Sequence, residues 1–236
     1  MVGRAAALLI VFAALVAWYE TAPHLHVISD WWAVALLSCL LMPALFALPL
    51  LALPLRESRS FVAGGFVAFL AGIFICDAIG APVFANFCKF AAVSLAGWIF
   101  LWAFEALSWV VLVAFVIPWV DAYSVWRGPT QQITQNHPAV FTKLSIAFVV
   151  PGGGAARLGV PDVLFFSVFL GAAARFGLRP FWTWLAMLVL LGVTMTATTF
   201  WANGGLPALP AIAVGFLVAN ADLLWKRLAR PAPRLS

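Results

Sequence analysis

Residues 106–126 read ALSWVVLVAFVIPWVDAYSVW, a stretch with a single charged side chain, Asp121. An apolar stretch of about 20 residues is long enough for a helix to cross the hydrocarbon core of a bilayer. Of the 236 residues, 65% are hydrophobic and 9% are charged, whereas soluble domains carry about 25% charged residues. Because no fold in water could bury so much apolar surface, the sequence predicts an α-helical membrane protein.

Apolar stretches of this length recur along the chain, and each is a candidate membrane span. They are residues 4–21, 32–54, 60–81, 86–104, 106–126, 159–177, 181–201 and 207–225. A ninth span would need a short or re-entrant segment around residues 76–90. The sequence therefore predicts an all-α, polytopic transmembrane bundle of eight or nine helices.

One polar connection, about residues 127–157, is much longer than the others and separates five N-terminal spans from three C-terminal ones. We expect one integrated membrane domain in which residues 1–105 are scaffold spans and residues 106–236 carry the functional groups. A connection of this length without secondary structure of its own is usually functional or mobile. Its triplet at residues 152–154, three glycines, lacks the Lys-Ser/Thr of a phosphate-binding loop and is interpreted as a hinge.

The basic residues predict the orientation of the spans, because cytoplasmic connections of membrane proteins carry an excess of Lys and Arg. On an eight-span path, one side receives Arg4, Arg56, Arg59, Arg175, Arg179, Lys226, Arg227, Arg230 and Arg234, and the other receives Lys89, Arg127, Lys143 and Arg157. We therefore expect a multi-pass protein of the cell membrane with both termini in the cytoplasm. The net charge of +5 is then a sign of topology and does not indicate a nucleic-acid partner.

Two aspartates lie inside the predicted spans, where ionisable groups are costly and are functional candidates by default. Asp121 precedes Arg127 by six residues, and Asp162 follows Arg157 by five. With a helical rise of 1.5 Å per residue, both carboxyls are predicted about 8–9 Å below the same polar boundary. The two spans are consecutive and antiparallel, so the carboxyls could face each other, although their spacing alone does not show that they do.

Two facing carboxyls would have a specific chemistry. In a site of low dielectric constant they cannot both ionise, so one retains a proton and they titrate as a pair. The ionised member can take a proton from water while the protonated member polarises a peptide carbonyl, as in aspartic proteases. Pro118 removes a helix hydrogen bond just before Asp121 and can open a polar notch there. On these grounds alone, structural or proton-relaying aspartates remain open alternatives.

Three short motifs follow one another in the C-terminal half. They are Trp119-Val120-Asp121-Ala122-Tyr123-Ser124-Val125-Trp126, Leu158-Gly159-Val160-Pro161-Asp162-Val163 and Pro207-Ala208-Leu209-Pro210. Together they resemble the Tyr-Asp, Gly-x-Gly-Asp and Pro-Ala-Leu signatures of the presenilin and signal peptide peptidase family of intramembrane aspartyl proteases, in the same order. The resemblance covers roughly residues 106–228, and the stretch after Asp121 is most similar to prokaryotic members.

The resemblance implies a presenilin-like fold and an intramembrane aspartyl endopeptidase in which Asp121 and Asp162 are the catalytic pair. The implied substrate-binding residues are Gly159, Val160, Pro161, Pro207, Ala208 and Leu209. Single-span proteins or remnant signal peptides in the lipid bilayer are the expected substrates. A family member of this kind requires no metal and no organic cofactor.

Two positions depart from the family pattern. Val120 replaces the tyrosine of the first motif, and Pro161 replaces the glycine before the second aspartate, where its missing N–H would remove a possible backbone contact with substrate. These departures motivate a second hypothesis, a catalytically degenerate homologue that binds transmembrane helices without cutting them. A third hypothesis is a small proton-coupled transporter that uses Asp77, Asp121 and Asp162.

Overall fold

The computed structural model describes residues 2–127, 138–201 and 206–228. In chain order its elements are α1 (Val2–Thr21), α2 (Asp30–Glu57), α3 (Arg59–Ala78), α4 (Pro82–Leu101), α5 (Leu107–Arg127), α6 (Pro138–Lys143), β1 (Ser145–Val149), β2 (Ala155–Gly159), α7 (Val160–Arg175), α8 (Pro180–Trp201) and α9 (Leu209–Leu228). Helix α2 includes a wider π turn and ends in a 3-10 turn. The long helices lie where the apolar stretches were predicted.

Seven helices in the described part of the chain are long and apolar enough to cross a membrane, namely all except α6 and α7. The protein is thus a multi-pass helical membrane protein, as the sequence predicted. The described residues contain no ninth span, because the segment 76–90 consists of the end of α3, a turn and the start of α4.

Helix α7 lies at the centre of the bundle, although it is the shortest of the long helices. Its 16 residues extend for about 24 Å at 1.5 Å per residue, less than the ~30 Å hydrocarbon core of a bilayer. Every residue from Phe166 to Ala173 is buried, and α4, α5, α8 and α9 all contact the helix. The surrounding helices therefore shield α7 from lipid and hold its first turn inside the protein.

Close helix packing depends on glycines at the crossing points, because small residues let helix backbones approach in a membrane. A Cβ on Gly97 of α4 would lie 2.6 Å from the carbonyl oxygen of Leu164 in α7. A Cβ on Gly215 of α9 would lie 2.7 Å from the backbone of Met187 in α8. The central helix and its neighbours therefore touch through their backbones.

The long polar connection has secondary structure, which the sequence analysis did not predict. Strands β1 and β2 form an antiparallel hairpin in which Ser145 pairs with Gly159 and Val149 pairs with Ala155. The predicted lack of structure is therefore wrong for residues 138–159, and residues 128–137 of this connection lie outside the described part of the chain.

The glycine triplet forms the turn of this hairpin, so its interpretation as a hinge is wrong. Gly152 and Gly153 have φ values of +87° and +82°, a backbone region that favours glycine. The Gly152 N–H also donates to the carbonyl oxygen of Ala22 over 3.3 Å, and a Cβ at this position would lie 2.5 Å from Val27. The turn of the hairpin thus contacts the segment that follows α1.

The hairpin also corrects the predicted depth of Asp162. That estimate assumed a helix from Arg157 onward, but Arg157 and Gly159 belong to β2, and the helix begins at Val160. An extended strand rises about 3.3 Å per residue, roughly twice the helical rise. The equal-depth argument for the two aspartates therefore does not hold.

We expect Gly97→Ala to destabilise the protein by about 1–3 kcal/mol, because the new methyl group would overlap the backbone of α7. Gly64→Ala, also inside a helix, is the matched control, since no atom lies within 4 Å of its added Cβ. This control should be neutral or stabilising by up to about 1 kcal/mol. Unfolding of the two variants in mild detergent checks the prediction, and equal midpoints would contradict the packing described for α4 and α7.

Candidate active site

Asp162 lies in the first turn of α7, directly after β2. Gly159 is the N-cap of the helix, and the Asp162 Oδ2 atom accepts its backbone N–H at 3.0 Å. A carboxylate in the first turn also interacts favourably with the positive end of the helix dipole. A Cβ on Gly159 would lie 3.1 Å from the same oxygen, so the glycine leaves room for the carboxyl group.

Pro161 lies in the same first turn, beyond the end of β2. In this position a proline is well tolerated, because the first N–H groups of a helix have no acceptor within the helix. Pro161 therefore belongs to the helix and not to the strand, and its missing N–H costs the helix no hydrogen bond.

Asp121 lies in the C-terminal half of α5 and reaches the start of α9. Its Oδ2 atom accepts the backbone N–H of Leu209 at 3.0 Å. The carboxylate of one helix thus caps a free N–H group at the N-terminus of another. This hydrogen bond joins the first and third sequence motifs, which are 88 residues apart.

The two aspartates lie within electrostatic range of each other, where α5 contacts α7. Both residues are partly buried. In the part of the chain that the structure describes, neither carboxyl has a Lys, Arg or His nitrogen within 4.0 Å. The site is therefore an acidic pair without a bound cation from the protein, held by backbone N–H groups at the start of α7 and α9.

The six residues that the resemblance implied for substrate binding fall into two segments. Gly159 ends β2, Val160 and Pro161 begin α7, Pro207 and Ala208 precede α9, and Leu209 is its first residue. The first segment adjoins Asp162 and the second adjoins Asp121, so the structure brings both to the acidic pair. Val120, where the family has tyrosine, is 55% exposed on the outer surface of α5.

Side chains to which the sequence analysis assigned no site role hold the hairpin beside the aspartates. The Asn86 amide of α4 donates to the Ala147 carbonyl oxygen at 3.0 Å and accepts the Ala147 N–H at 2.9 Å. The Tyr19 hydroxyl of α1 donates to the same carbonyl oxygen at 2.7 Å. Lys89 donates to the Ser145 carbonyl oxygen at 3.2 Å. Asn86 and Lys89 are three residues apart in an apolar helix, a spacing that could have indicated one polar face.

This anchoring leaves the two edges of the hairpin unequal. In an antiparallel pair that exchanges no hydrogen bonds, the backbone groups of both residues point away from the partner strand. Ala147 and Arg157 form such a pair, because the backbone groups of Ala147 are hydrogen-bonded to Asn86 and not to β2. The N–H and C=O of Arg157 therefore point to the outer edge of β2. Within the described residues, neither group forms a backbone hydrogen bond. The outer edge of β1 is thus hydrogen-bonded to helices, and we call the outer edge of β2 open.

No protein-family model and no curated protein matches the chain. Within the described residues, no group of three or more His, Cys, Asp and Glu side chains is placed to hold a metal ion.

Replacing Asn86 with alanine should destabilise the protein by about 1–3 kcal/mol, because the buried N–H of Ala147 would lose its acceptor. Ser94→Ala on the same helix is the matched control, since the Ser94 hydroxyl is buried and has no partner. This control should change stability by less than about 0.5 kcal/mol. Unfolding midpoints in detergent, together with limited proteolysis of the hairpin, measure both effects. A loss of equal size in the two variants would contradict the anchoring role of Asn86.

Proposed function

We propose that this protein is an intramembrane aspartyl endopeptidase, similar to the presenilin and signal peptide peptidase family, that cleaves transmembrane segments or remnant signal peptides. The observation that carries the proposal is the convergence of three motifs that are distant in sequence. Asp121 is hydrogen-bonded to Leu209, and Asp162 lies within electrostatic range of Asp121. Chance matches to short motifs have no reason to meet at one place in the fold.

The acidic pair supports a mechanism in which water is the nucleophile. Without a cation nearby, two carboxyls within electrostatic range avoid like-charge repulsion when one of them keeps its proton. The ionised carboxylate takes a proton from water as the water oxygen bonds to the peptide carbonyl carbon, and the other carboxyl donates its proton to the carbonyl oxygen. The C–N bond of the tetrahedral intermediate then breaks as the departing nitrogen takes a proton from one carboxyl and a hydroxyl of the intermediate returns a proton to the other, so the pair again holds one proton. A carboxyl group and an amine are released.

The open edge of β2 supports the presentation of an extended substrate. A peptide bond inside a helix is shielded by the surrounding turns, so a transmembrane segment must unwind locally before hydrolysis. An extended peptide can be held at a free strand edge by backbone hydrogen bonds, with little dependence on its side chains. Strand β2 ends at Gly159, next to Asp162, so a peptide paired with this edge would lead toward the carboxyl.

The exposure of α5 supports access from the lipid. This helix packs mainly against α9, with a smaller contact to α7. Trp119 and Tyr123, on either side of Asp121, are 78% and 66% exposed. A substrate helix that diffuses in the bilayer can therefore approach the helix that carries Asp121 without first crossing a layer of protein.

Asp121→Asn and Asp162→Asn should each lower the cleavage rate of a single-span peptide in liposomes by about 10²–10⁴-fold, because an amide cannot exchange a proton with the water or the substrate. Asp222→Asn is the matched control, since Asp222 is exposed near the far end of α9 and pairs with Arg179. This variant should retain the wild-type rate. Mass spectrometry of the peptide fragments measures all three rates.

Undiminished cleavage in either of the first two variants would contradict the proposed function. The same samples separate the alternative hypotheses. Wild-type protein that binds the peptide without cutting it would favour the degenerate homologue. Proton flux into the liposomes that both substitutions abolish would favour the transporter.

Methylating the substrate backbone nitrogen should reveal pairing with β2. In a paired strand only every second N–H points toward the neighbouring strand. We therefore expect N-methylation at alternate residues beside the cleavage site to slow cleavage at least about tenfold, the effect of losing roughly 1.4 kcal/mol of hydrogen bonding. Methylation at the intervening residues should have little effect. A methylation profile without a period of two would contradict strand pairing while leaving the role of the aspartates intact.

A further inference from the structure

A second polar site lies at the other end of α7. Asp162 is in the first turn of this helix, and Arg175 is its last residue, about 20 Å away at 1.5 Å per residue. A cavity of about 190 Å³ opens beside Arg175. Its lining includes Arg56, Glu57, Arg59, Trp98, Trp102 and Arg175.

The charge of this cavity is unbalanced. Its lining contains three arginines and one glutamate, which gives a net charge of +2. The arginines come from three separate elements, since Arg56 ends α2, Arg59 begins α3 and Arg175 ends α7. In the described part of the chain, none of them has a carboxylate oxygen within 4.0 Å. The fold therefore gathers like charges, which repel one another, around a space to which the described lining contributes a single carboxylate, that of Glu57.

Donors in this lining are left without acceptors. The Nε atom of Arg56 is buried and has no hydrogen-bond partner. Trp98 is 2% exposed, and its Nε1–H is likewise without an acceptor. A buried donor without an acceptor is destabilising, and native proteins leave few such groups unpaired. An oxyanion in the cavity would supply the missing acceptors.

The other two guanidinium groups are already held in place. Arg175 Nη1 donates to the carbonyl oxygen of Leu101 at 2.7 Å, which leaves its other N–H groups available. The guanidinium of Arg59 lies 5.5 Å from the centre of the Trp102 ring, a cation–π contact. Guanidinium groups fixed in this way match the geometry of a phosphate, which they can bind through two parallel hydrogen bonds.

The cavity lies at the ends of candidate membrane spans. Its lining residues come from the ends of α2 and α4, the start of α3 and the end of the central helix α7. The ends of spans lie in the interfacial layer of a bilayer, and tryptophans such as Trp98 and Trp102 are typical of that layer. Phosphodiester groups are concentrated in that layer, so a lipid is the nearest source of a phosphate.

We propose that this cavity binds the phosphate of an anionic phospholipid. The headgroup of a zwitterionic lipid would bring its own cation next to a lining that already carries a net positive charge, so an anionic lipid is favoured. Other arginines near the same membrane face are already satisfied: Arg179 pairs with Asp222, and Arg227 donates to the carbonyl oxygens of Phe176 and Gly177. The lipid site does not depend on the proposed peptidase activity.

The test is the thermal unfolding of the purified full chain in detergent micelles supplemented with phosphatidylglycerol or phosphatidylcholine. Phosphatidylglycerol should raise the unfolding midpoint of the wild type, and phosphatidylcholine should not. Arg56→Gln and Arg59→Gln should each weaken the affinity for phosphatidylglycerol at least about tenfold, through the loss of a charge-assisted hydrogen bond. Arg179→Gln is the control and should bind this lipid as tightly as the wild type.

Equal stabilisation by the two lipids, or equal lipid affinity in Arg56→Gln and Arg179→Gln, would overturn the proposal. If Arg56→Gln does not fold, Arg59→Gln replaces it in this comparison with Arg179→Gln, because Arg59 is exposed. Millimolar inorganic phosphate, added without lipid, separates the two sources of the same chemistry. Stabilisation by free phosphate that matches the effect of phosphatidylglycerol would show a site for soluble anions and would overturn the assignment to a lipid.

Discussion

Backbone N–H and C=O groups at the edge of a largely buried strand need hydrogen-bond partners, and this constraint fixes the hairpin against the helices. Two strands alone would leave two unpaired edges. Here Asn86 takes the place of a third strand by hydrogen-bonding both backbone groups of Ala147. Tyr19 donates to the same Ala147 carbonyl oxygen, and Lys89 donates to that of Ser145. With that edge closed, the hairpin has one open edge, that of β2. This edge ends at Gly159, where the Asp162 carboxyl accepts the last strand N–H.

The central helix connects two sites of opposite charge. Helix α7 is too short to cross the bilayer alone, and the backbone contact at Gly97 holds it against α4. Its N-terminus carries Asp162, paired with Asp121 in an acidic site without a cation from the described chain. Its C-terminus carries Arg175 in a basic cavity whose lining holds three arginines and one glutamate. The acidic pair is suited to proton transfer in a hydrolytic reaction, and the basic cavity is suited to holding a lipid phosphate at the membrane surface.

Much of the architecture could be predicted from the sequence, because apolar stretches specify helices locally. The positions of the long helices followed from the apolar stretches, and the two segments that the resemblance implied for substrate binding lie next to Asp162 and Asp121. The hairpin could not be predicted in this way, since its strands are short and their partners, Tyr19 and Asn86, are distant in sequence. The predicted depth of Asp162 was wrong because the prediction did not include the extended strand that precedes it.

The central claim is that Asp121 and Asp162 act as one acid–base pair. The most direct test is the affinity of the purified protein for a substrate peptide whose scissile amide is replaced by a hydroxyethylene group, which imitates the tetrahedral intermediate. We predict that wild-type protein binds this analogue at least about 100-fold more tightly than the matched amide peptide. The advantage should disappear in both Asp121→Asn and Asp162→Asn and persist in Asp222→Asn. An analogue that binds no more tightly than the amide, or an advantage that survives either of the first two substitutions, would contradict the account.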